Sequence, residues 1–164
     1  MDDHAFDLAR EIGSKLTRAG WRLATAESCS GGLIGHLLTE IPGSSAYYQG
    51  GLIAYNNAVK SDLLGVAAAT LVDFGAVSEP CAIEMAGGVR RLLGTEVAIA
   101  TTGIAGPGGG SDHKPVGLVY IAIATPAGAR CAKHVFGGDR TRIKEATAIQ
   151  ALEMLLAVLG SETE

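Results

Sequence analysis

Residues 25–38, "TAESCSGGLIGHLL", contain the clearest evidence for the fold class. The stretch begins as the end of a short apolar run typical of a strand. After two glycines it continues with apolar residues at helical spacing. A strand that turns into a helix at such a junction projects a side chain outward, here Ser28, beside the backbone N–H groups of the next turn. The junction therefore predicts an α/β fold with Ser28 at a strand end.

On both sides of residues 25–38, predicted strands and helices alternate along the chain. Helical spacing and capping signals predict helices over residues 5–16, 33–38, 58–64 and 68–74, and others that follow Ser78 and Asp139. Apolar runs predict strands over residues 21–26, 50–55, 97–101, 118–125 and 129–136. The last two strands are joined by a hairpin turn signal, Pro126-Ala127-Gly128. We predict one domain, residues 1–164, folded as a three-layer α/β/α sandwich with a mixed, mostly parallel sheet and one antiparallel strand.

Composition restricts the class of protein. The chain has 164 residues, of which 48% are hydrophobic and 18% charged, and its net charge is -4. That charge argues against nucleic acid as the main partner. No apolar run approaches the length of about 18 residues that spans a membrane, so we expect no membrane partner. Cys29, Cys81 and Cys131 are odd in number and scattered, which argues against a zinc site or a disulfide framework and favours a reducing cytoplasm.

Ser28 has two interpretations. Ligands of open α/β sheets bind beyond the carboxyl ends of the strands, so Ser28 is a candidate nucleophile there. Gly31 and Gly32 would let a ligand approach the backbone, and the N–H groups around Ser30 to Gly32 could hold an oxyanion or a phosphate. The alternative is that Ser28 or Ser30 only caps the following helix, because serine is common at that position.

A nucleophilic serine needs a base, and the histidines lie outside the strand-end motifs. Lys60, in "YNNAVK" (residues 55–60), is the better candidate. If the strand before it neighbours the first strand, Lys60 can face Ser28, and burial would lower its pKa enough for it to act as a base. Tyr55 could relay a proton or hold the lysine. The alternative is an ordinary exposed lysine on a short helix.

A third unusual segment is "TTGIAGPGGGSDHKPVG", residues 101–117. Its backbone N–H groups could form an anion-binding nest, but it lacks the endings of a P-loop or a dinucleotide-binding fingerprint. It is either a binding loop or a flexible surface loop. Lys114 and Arg140 are possible phosphate partners, or simply solvated charges.

Together these segments resemble the CinA C-terminal domain family, whose characteristic activity is nicotinamide-nucleotide amidase. The matching stretches are "AESCSGG", "PGSSAYYQGGLIAYNNAVK", "LGV", "GAVSEP" and "TGIAGPGGGSDHKPVG", in that order. Ser30 stands where the family more often has threonine, and "NNAVK" departs from a common Ser-Asn-Glu-Ala-Lys, while Asn57 and Lys60 still fit. Many relatives carry a further N-terminal domain, which this sequence does not contain, so we expect it to resemble the stand-alone form.

The resemblance implies a five-stranded sandwich that hydrolyses nicotinamide mononucleotide to nicotinate mononucleotide and ammonia. It implies Ser28 as the nucleophile, with Tyr55 and Lys60 assisting. The candidate substrate-binding residues are Ser30, Gly31, Gly32, Asn57, Thr102, Gly103, Gly106, Gly108, Lys114 and Arg140. We expect no cofactor or metal, a pyridine mononucleotide as ligand, and a homo-oligomer. The alternative function is a nucleotide-binding regulatory or interaction module without turnover.

Overall fold

A computed structural model describes residues 3–162 and contains a mixed five-stranded sheet with helices on both faces. The strands are β1 (Leu23–Glu27), β2 (Tyr48–Ile53), β3 (Val97–Gly103), β4 (Leu118–Thr125) and β5 (Gly128–Val135). The helices are α1 (Asp3–Ala19), α2 (Leu33–Thr39), α3 (Asn57–Leu64), α4 (Ala68–Asp73), α5 (Glu79–Leu93) and α6 (Arg140–Glu162), with a 3-10 turn at Ser44–Ala46. None of these helices is long and apolar enough to cross a membrane.

The order of strands is β2-β1-β3-β4-β5. β1 pairs in parallel with both β2 and β3, whereas β4 is antiparallel to β3 and to β5. Within the described residues β4 is thus the strand that runs against the other four. The predicted sandwich, with its mostly parallel sheet and single antiparallel strand, is confirmed.

The two faces of the sheet carry residues of different size. One face presents large apolar side chains, such as Leu23, Ile99 and Ile121, to α1, α2 and α6. The other face presents alanines, such as Ala24, Ala98 and Ala122, to α5. Because successive strand residues point to opposite faces, this alternation lets both layers pack on one buried sheet.

Several predicted boundaries move by one or two residues. The strand predicted over 21–26 is β1, Leu23–Glu27, and the strand predicted over 50–55 is β2, Tyr48–Ile53. Pairing of β2 with β1 begins at Tyr48 and ends with Ile53 opposite Glu27, so Tyr55 lies beyond the strand. The helix caps expected at Ser78 and Asp139 are both present: the Ser78 hydroxyl accepts from the Cys81 amide, and the Asp139 carboxylate accepts from the Arg142 amide.

Three connections follow the carboxyl ends of parallel strands and meet at one edge of the sheet. The first, which we call the Ser28 turn, covers residues 27–32 between β1 and α2. The second carries Tyr55 from β2 into α3, and the third is the glycine-rich loop, residues 104–117, between β3 and β4. The fold therefore gathers the three segments that the sequence singled out.

Candidate active site

A cavity of about 200 Å³ lies at this edge, between the Ser28 turn and the start of α3. Seven residues predicted for the site line it: Ser28, Tyr55, Asn57, Lys60, Thr102, Gly103 and Arg140. They come from four separate parts of the chain, brought together by the parallel pairing of β2, β1 and β3. The location fits the general rule that ligands of open α/β sheets bind beyond the strands' carboxyl ends.

Ser28 and Lys60 are neighbours in this cavity. The Lys60 Nζ lies 3.2 Å from the Ser28 Oγ, and donates to the carbonyl oxygens of Ala54 at 2.7 Å and of Tyr55 at 3.3 Å. Lys60 is 1% exposed and Ser28 8%. The expectation that Lys60 would face Ser28 is met because β2, which leads to α3, is the direct neighbour of β1.

The environment of Lys60 favours its neutral form. Burial lowers the pKa of the Lys60 amine, because an ammonium loses its hydration there, while the nearby thiols of Cys81 and Cys29 act in the opposite direction. The partners of Nζ are two carbonyl oxygens and a hydroxyl, and no carboxylate forms an ion pair with it in the described part of the chain. A fully buried lysine without a carboxylate is far from the exposed surface lysine that was the alternative interpretation.

The side chain of Tyr55 points away from this pair. Its hydroxyl accepts a hydrogen bond from Arg140 Nη2 at 2.9 Å, and the residue is 60% exposed. Only its backbone carbonyl contacts Lys60. The sequence analysis proposed that Tyr55 relays a proton or holds the lysine; in the structure the Tyr55 carbonyl accepts a hydrogen bond from Lys60, and the Tyr55 hydroxyl is bonded to Arg140 at the same cavity.

Arg140 connects the glycine-rich loop to Tyr55. Its Nη1 donates to the Gly106 carbonyl at 2.7 Å while its Nη2 donates to the Tyr55 hydroxyl. Arg140 is the first residue of α6, so it stands at a helix end that favours anions. Gly106 itself does not line the cavity, and its connection to the site is the hydrogen bond that its carbonyl accepts from Arg140.

Five further predicted site residues lie outside the cavity lining: Ser30, Gly31, Gly32, Gly108 and Lys114. The Ser30 hydroxyl is fully buried and donates to the Glu27 carboxylate at 2.7 Å. The Gly31 amide donates to the Ser28 carbonyl, and the Gly32 amide to Glu27, so neither amide is available to a ligand. Lys114 Nζ donates to the Phe74 carbonyl at 2.5 Å, which turns it toward the neighbouring loop.

Glu27 is the structural residue that the sequence analysis missed. Its carboxylate accepts from the amides of Gly32, Ile34 and Gly35 at 2.8–3.1 Å, which caps α2. The capping role considered for Ser28 or Ser30 therefore belongs to Glu27, and the Ser28 hydroxyl is left to face Lys60. A signal was present, since acidic residues favour the N-terminus of a helix, but Glu27 precedes the helix by six residues and the fold-back of the turn is not visible in the sequence.

The sequence analysis also missed four residues that line the cavity: Cys29, Ala76, Val77 and Ala105. Ala76 and Val77 precede α5 and form a wall that Thr102 fixes, because the Thr102 hydroxyl donates to the Ala76 carbonyl at 2.8 Å. Burial raises the pKa of the Cys29 thiol to about 12, so this thiol stays protonated near neutral pH. Ala76, Val77 and Ala105 are small and apolar, and such residues carry no chemical signal in a sequence.

Comparison with known proteins agrees with the fold and with the motifs. A family model described as the CinA C-terminal domain matches residues 5–159. A CinA-like protein of Parasynechococcus marenigrum is 50% identical over 150 residues, which cover 90% of this chain and 36% of that protein. A CinA-like protein of Syntrophobacter fumaroxidans is 48% identical over 156 residues, which cover 95% of this chain and 37% of that protein. The chain thus spans about a third of the length of these curated relatives.

Solved structures agree over nearly the whole chain. The competence/damage inducible protein CihA from Agrobacterium tumefaciens superposes with a TM-score of 0.94 at 46% identity, covering 96% of this chain and 97% of that one. A CinA superfamily protein from Klebsiella pneumoniae superposes with a TM-score of 0.92 at 34% identity, covering 96% and 98% of the two chains. The chain belongs to the CinA C-terminal domain family.

Proposed function

We propose that this protein hydrolyses the carboxamide of nicotinamide mononucleotide, with Ser28 as the nucleophile and Lys60 as its base. The observation that carries the proposal is the 3.2 Å contact between the Ser28 Oγ and the Lys60 Nζ in a cavity, with the lysine buried and paired with no carboxylate of residues 3–162. The pKa of a lysine shifts readily on burial, and perturbed pKa values cluster at functional sites, so a buried lysine beside a hydroxyl is a candidate base.

The contacts of Lys60 suit a neutral amine. A neutral amine has two N–H groups and one lone pair, whereas an ammonium has three donors. As an ammonium, Lys60 donates to the Ser28 Oγ and to the carbonyls of Ala54 and Tyr55. As a neutral amine it keeps the two bonds to the carbonyls, and its lone pair can then accept the Ser28 hydroxyl proton. Lys60 can then take the Ser28 proton directly, as a general base must.

The reaction follows in two halves. The Ser28 oxygen attacks the amide carbon as its proton passes to Lys60, giving a tetrahedral intermediate. The Lys60 ammonium then protonates the amide nitrogen, the carbon–nitrogen bond breaks, and ammonia leaves an ester on Ser28. Water attacks this ester with Lys60 again as base, releasing nicotinate mononucleotide and restoring the Ser28 hydroxyl.

The amides of Cys29 and Ser30 are the proposed oxyanion donors. The amides of Gly31 and Gly32 are engaged within the turn. Those of Cys29 and Ser30 lie beside the Cys29 thiol at the cavity wall and lower its pKa, although burial outweighs them. Because these two amides directly follow Ser28 in the turn, they would be preorganised donors for an oxyanion formed on a carbon bonded to the Ser28 oxygen.

Substrate recognition is assigned to the outer part of the cavity. Arg140 lies at the start of α6, and its guanidinium, together with the helix end, would attract the phosphate. Asn57, Thr102 and Gly103 also line the cavity and would contact the base or the ribose. The exposed ring of Tyr55 offers an apolar face at the entrance.

The direct test is ammonia release from nicotinamide mononucleotide by the purified protein, with a chelator present. Wild-type protein is expected to release ammonia and nicotinate mononucleotide in equal amounts, and Ser28→Ala to lose at least about 1,000-fold in kcat. Ser14→Ala, an exposed hydroxyl on α1 far from the cavity lining, is the matched control and should retain wild-type kcat. Binding of the nucleotide without turnover would contradict the proposal and favour a binding module.

A further inference from the structure

Glu27 and Ser28 are consecutive residues that point to opposite faces of the sheet. Strand alternation places Glu27 on the face covered by α2, where its carboxylate is 2% exposed, and places Ser28 on the opposite face, toward Lys60. The same alternation on β3 places the Thr101 side chain toward α2 and the Thr102 side chain toward the cavity. A second buried group, on the far side of the sheet, thus adjoins the candidate nucleophile.

Four donors among the described residues are hydrogen-bonded to the Glu27 carboxylate. Its Oε2 accepts from the Ser30 hydroxyl and from the amides of Gly32 and Ile34, and its Oε1 accepts from the Gly35 amide. These four distances run from 2.7 to 3.1 Å. An ionised carboxylate can accept all four bonds, and hydrogen bonds to a charged acceptor are the strong ones.

Thr101 ties the same network to Ser28. Since the Ser30 hydroxyl proton goes to Glu27, the Thr101 hydroxyl, 2.7 Å away, donates to the Ser30 oxygen. The Thr101 carbonyl accepts from the Ser28 amide at 3.0 Å. One residue of β3 thus holds Ser28 through its backbone and Ser30 through its side chain, and Ser30 passes the connection to Glu27.

We propose that Glu27 is a positioning residue for the reaction: through Ser30 and Thr101 its carboxylate fixes the turn that aims the Ser28 oxygen at Lys60. This inference rests on the proposed role of Ser28 as nucleophile. Glu27 does not contact the cavity, so it acts through the backbone of the turn. A displacement of about 1 Å at a reacting atom costs about 100-fold in rate, which is the scale of effect expected here.

The chain offers a matched control for a helix-capping carboxylate. Glu84 accepts from the Ala67 amide at 2.8 Å and from the Thr70 hydroxyl at 2.7 Å, and so caps α4 in the way that Glu27 caps α2. Glu84 does not line the cavity. If capping a helix were the whole role of Glu27, replacing either carboxylate by its amide would have the same consequence for activity.

The experiment compares Glu27→Gln, Glu84→Gln, Ser30→Ala, Ser30→Thr and Thr101→Val. For each, kcat and KM for nicotinamide mononucleotide are measured with the pH profile, the melting temperature, and the rate at which a fluorophosphonate labels Ser28, followed by mass spectrometry. Labelling reports the aim of the Ser28 oxygen without reference to any substrate. Ser30→Thr keeps the hydroxyl and serves as the conservative rescue of Ser30→Ala.

Glu27→Gln is expected to lose about 100-fold in kcat and in labelling rate, with KM within about threefold. In the pH profile, kcat should rise as Lys60 loses its proton. The pH of this rise should be the same in Glu27→Gln as in the wild type, because Ala54 and Tyr55 still hold Lys60. Thr101→Val and Ser30→Ala should lose activity in the same direction, Ser30→Thr should restore it, and Glu84→Gln should keep wild-type kcat. Should Glu27→Gln not fold, the Ser30 and Thr101 variants decide the matter.

The outcomes separate this inference from the proposed function. If wild-type Ser28 is labelled but no ammonia forms, the substrate is wrong, and the labelling rates still decide the role of Glu27. A folded Glu27→Gln with wild-type kcat and labelling, an equal loss in Glu84→Gln, or a shifted pH limb would overturn the positioning role. Wild-type protein that shows neither turnover nor labelling would overturn both.

Discussion

The Ser28 turn and the glycine-rich loop both follow parallel strands and both contain several glycines, yet they are held in different ways. The Ser28 turn is bonded to itself and to β3 through buried groups, with Glu27 at its centre. The glycine-rich loop is exposed from residue 107 to residue 113. Two hydrogen bonds from cationic side chains hold it: Arg140, on α6, donates to the Gly106 carbonyl, and Lys114, near the end of the loop, donates to the Phe74 carbonyl.

This difference separates two tasks. A reacting oxygen must be held within a fraction of an ångström, which a buried and fully bonded turn provides. A loop proposed to bind a nucleotide can be open to solvent, since its exposed backbone then stays accessible to the ligand. The predictions below test this division of roles between the two segments.

The largest contrast is expected between two lysines that each donate to a backbone carbonyl. Lys60→Met should lower kcat about 1,000-fold, because it removes the proposed general base, and the ascending pH limb should vanish. In the wild type that limb should titrate below the ordinary lysine pKa of about 10.4, since burial lowers the pKa of Lys60 and the neutral amine is the active form. Lys114→Met, in the glycine-rich loop, should change KM more than kcat and leave the limb in place. Equal effects of the two substitutions would abolish the contrast.

A second contrast lies inside the glycine-rich loop. Gly106 has a φ of 78°, and a Cβ added there would meet the Val116 Cγ1 at 2.6 Å, whereas a Cβ at Gly108 would meet nothing within 4 Å. Gly106→Ala should therefore strain the loop by about 1–3 kcal/mol and displace the carbonyl that Arg140 holds. We expect KM for nicotinamide mononucleotide to rise about tenfold, a change of about 1.4 kcal/mol in binding.

Gly108→Ala is the matched control, with KM and melting temperature close to those of the wild type. Kinetics and thermal unfolding of the two variants, measured side by side, check the pair. An unchanged KM in a folded Gly106→Ala protein would remove the loop from substrate binding.

The smallest expected effect is on stability. The folded pKa of Lys60 is depressed, so the unfolded protein binds more protons than the folded protein at pH values between the folded pKa and about 10.4. The free energy of unfolding of the wild type, relative to Lys60→Met, should therefore rise as the pH is raised through that window. Urea unfolding of both proteins over a series of alkaline pH values measures the difference, and a difference that falls with pH would contradict the burial of an amine.

Much of the fold followed from local patterns. Apolar runs predicted the five strands, and Ser78 and Asp139 marked the starts of two helices, α5 and α6. The strand boundaries were less certain, because pairing between strands decides them. Tyr55 shows the consequence: a shift of two residues at the end of β2 places its hydroxyl on Arg140.

Sequence analysis predicted the site residues whose side chains have a recognisable chemical role, and it missed those that reach the site only through tertiary packing. Ser28 and Lys60 are brought together as the strand-end argument expected. The sequence analysis treated the Ser30 hydroxyl and the Gly32 amide as available to a ligand. In the structure the turn brings Glu27 back onto both groups, a contact that no spacing rule predicts. Ala76 and Val77 reach the cavity only through the packing of α5 and the bond from Thr102.

The proposed mechanism requires Ser28 and Lys60 to act in one step, and a double-mutant cycle measures this coupling. Ser28→Ala, Lys60→Met and the double variant are assayed for kcat on nicotinamide mononucleotide, each with a melting temperature to establish that it is folded. If the two residues act as a unit, the double variant should be little slower than either single variant, because removing one partner already removes the step. Losses that multiply, or a folded Ser28→Ala protein with near-normal kcat, would contradict the account.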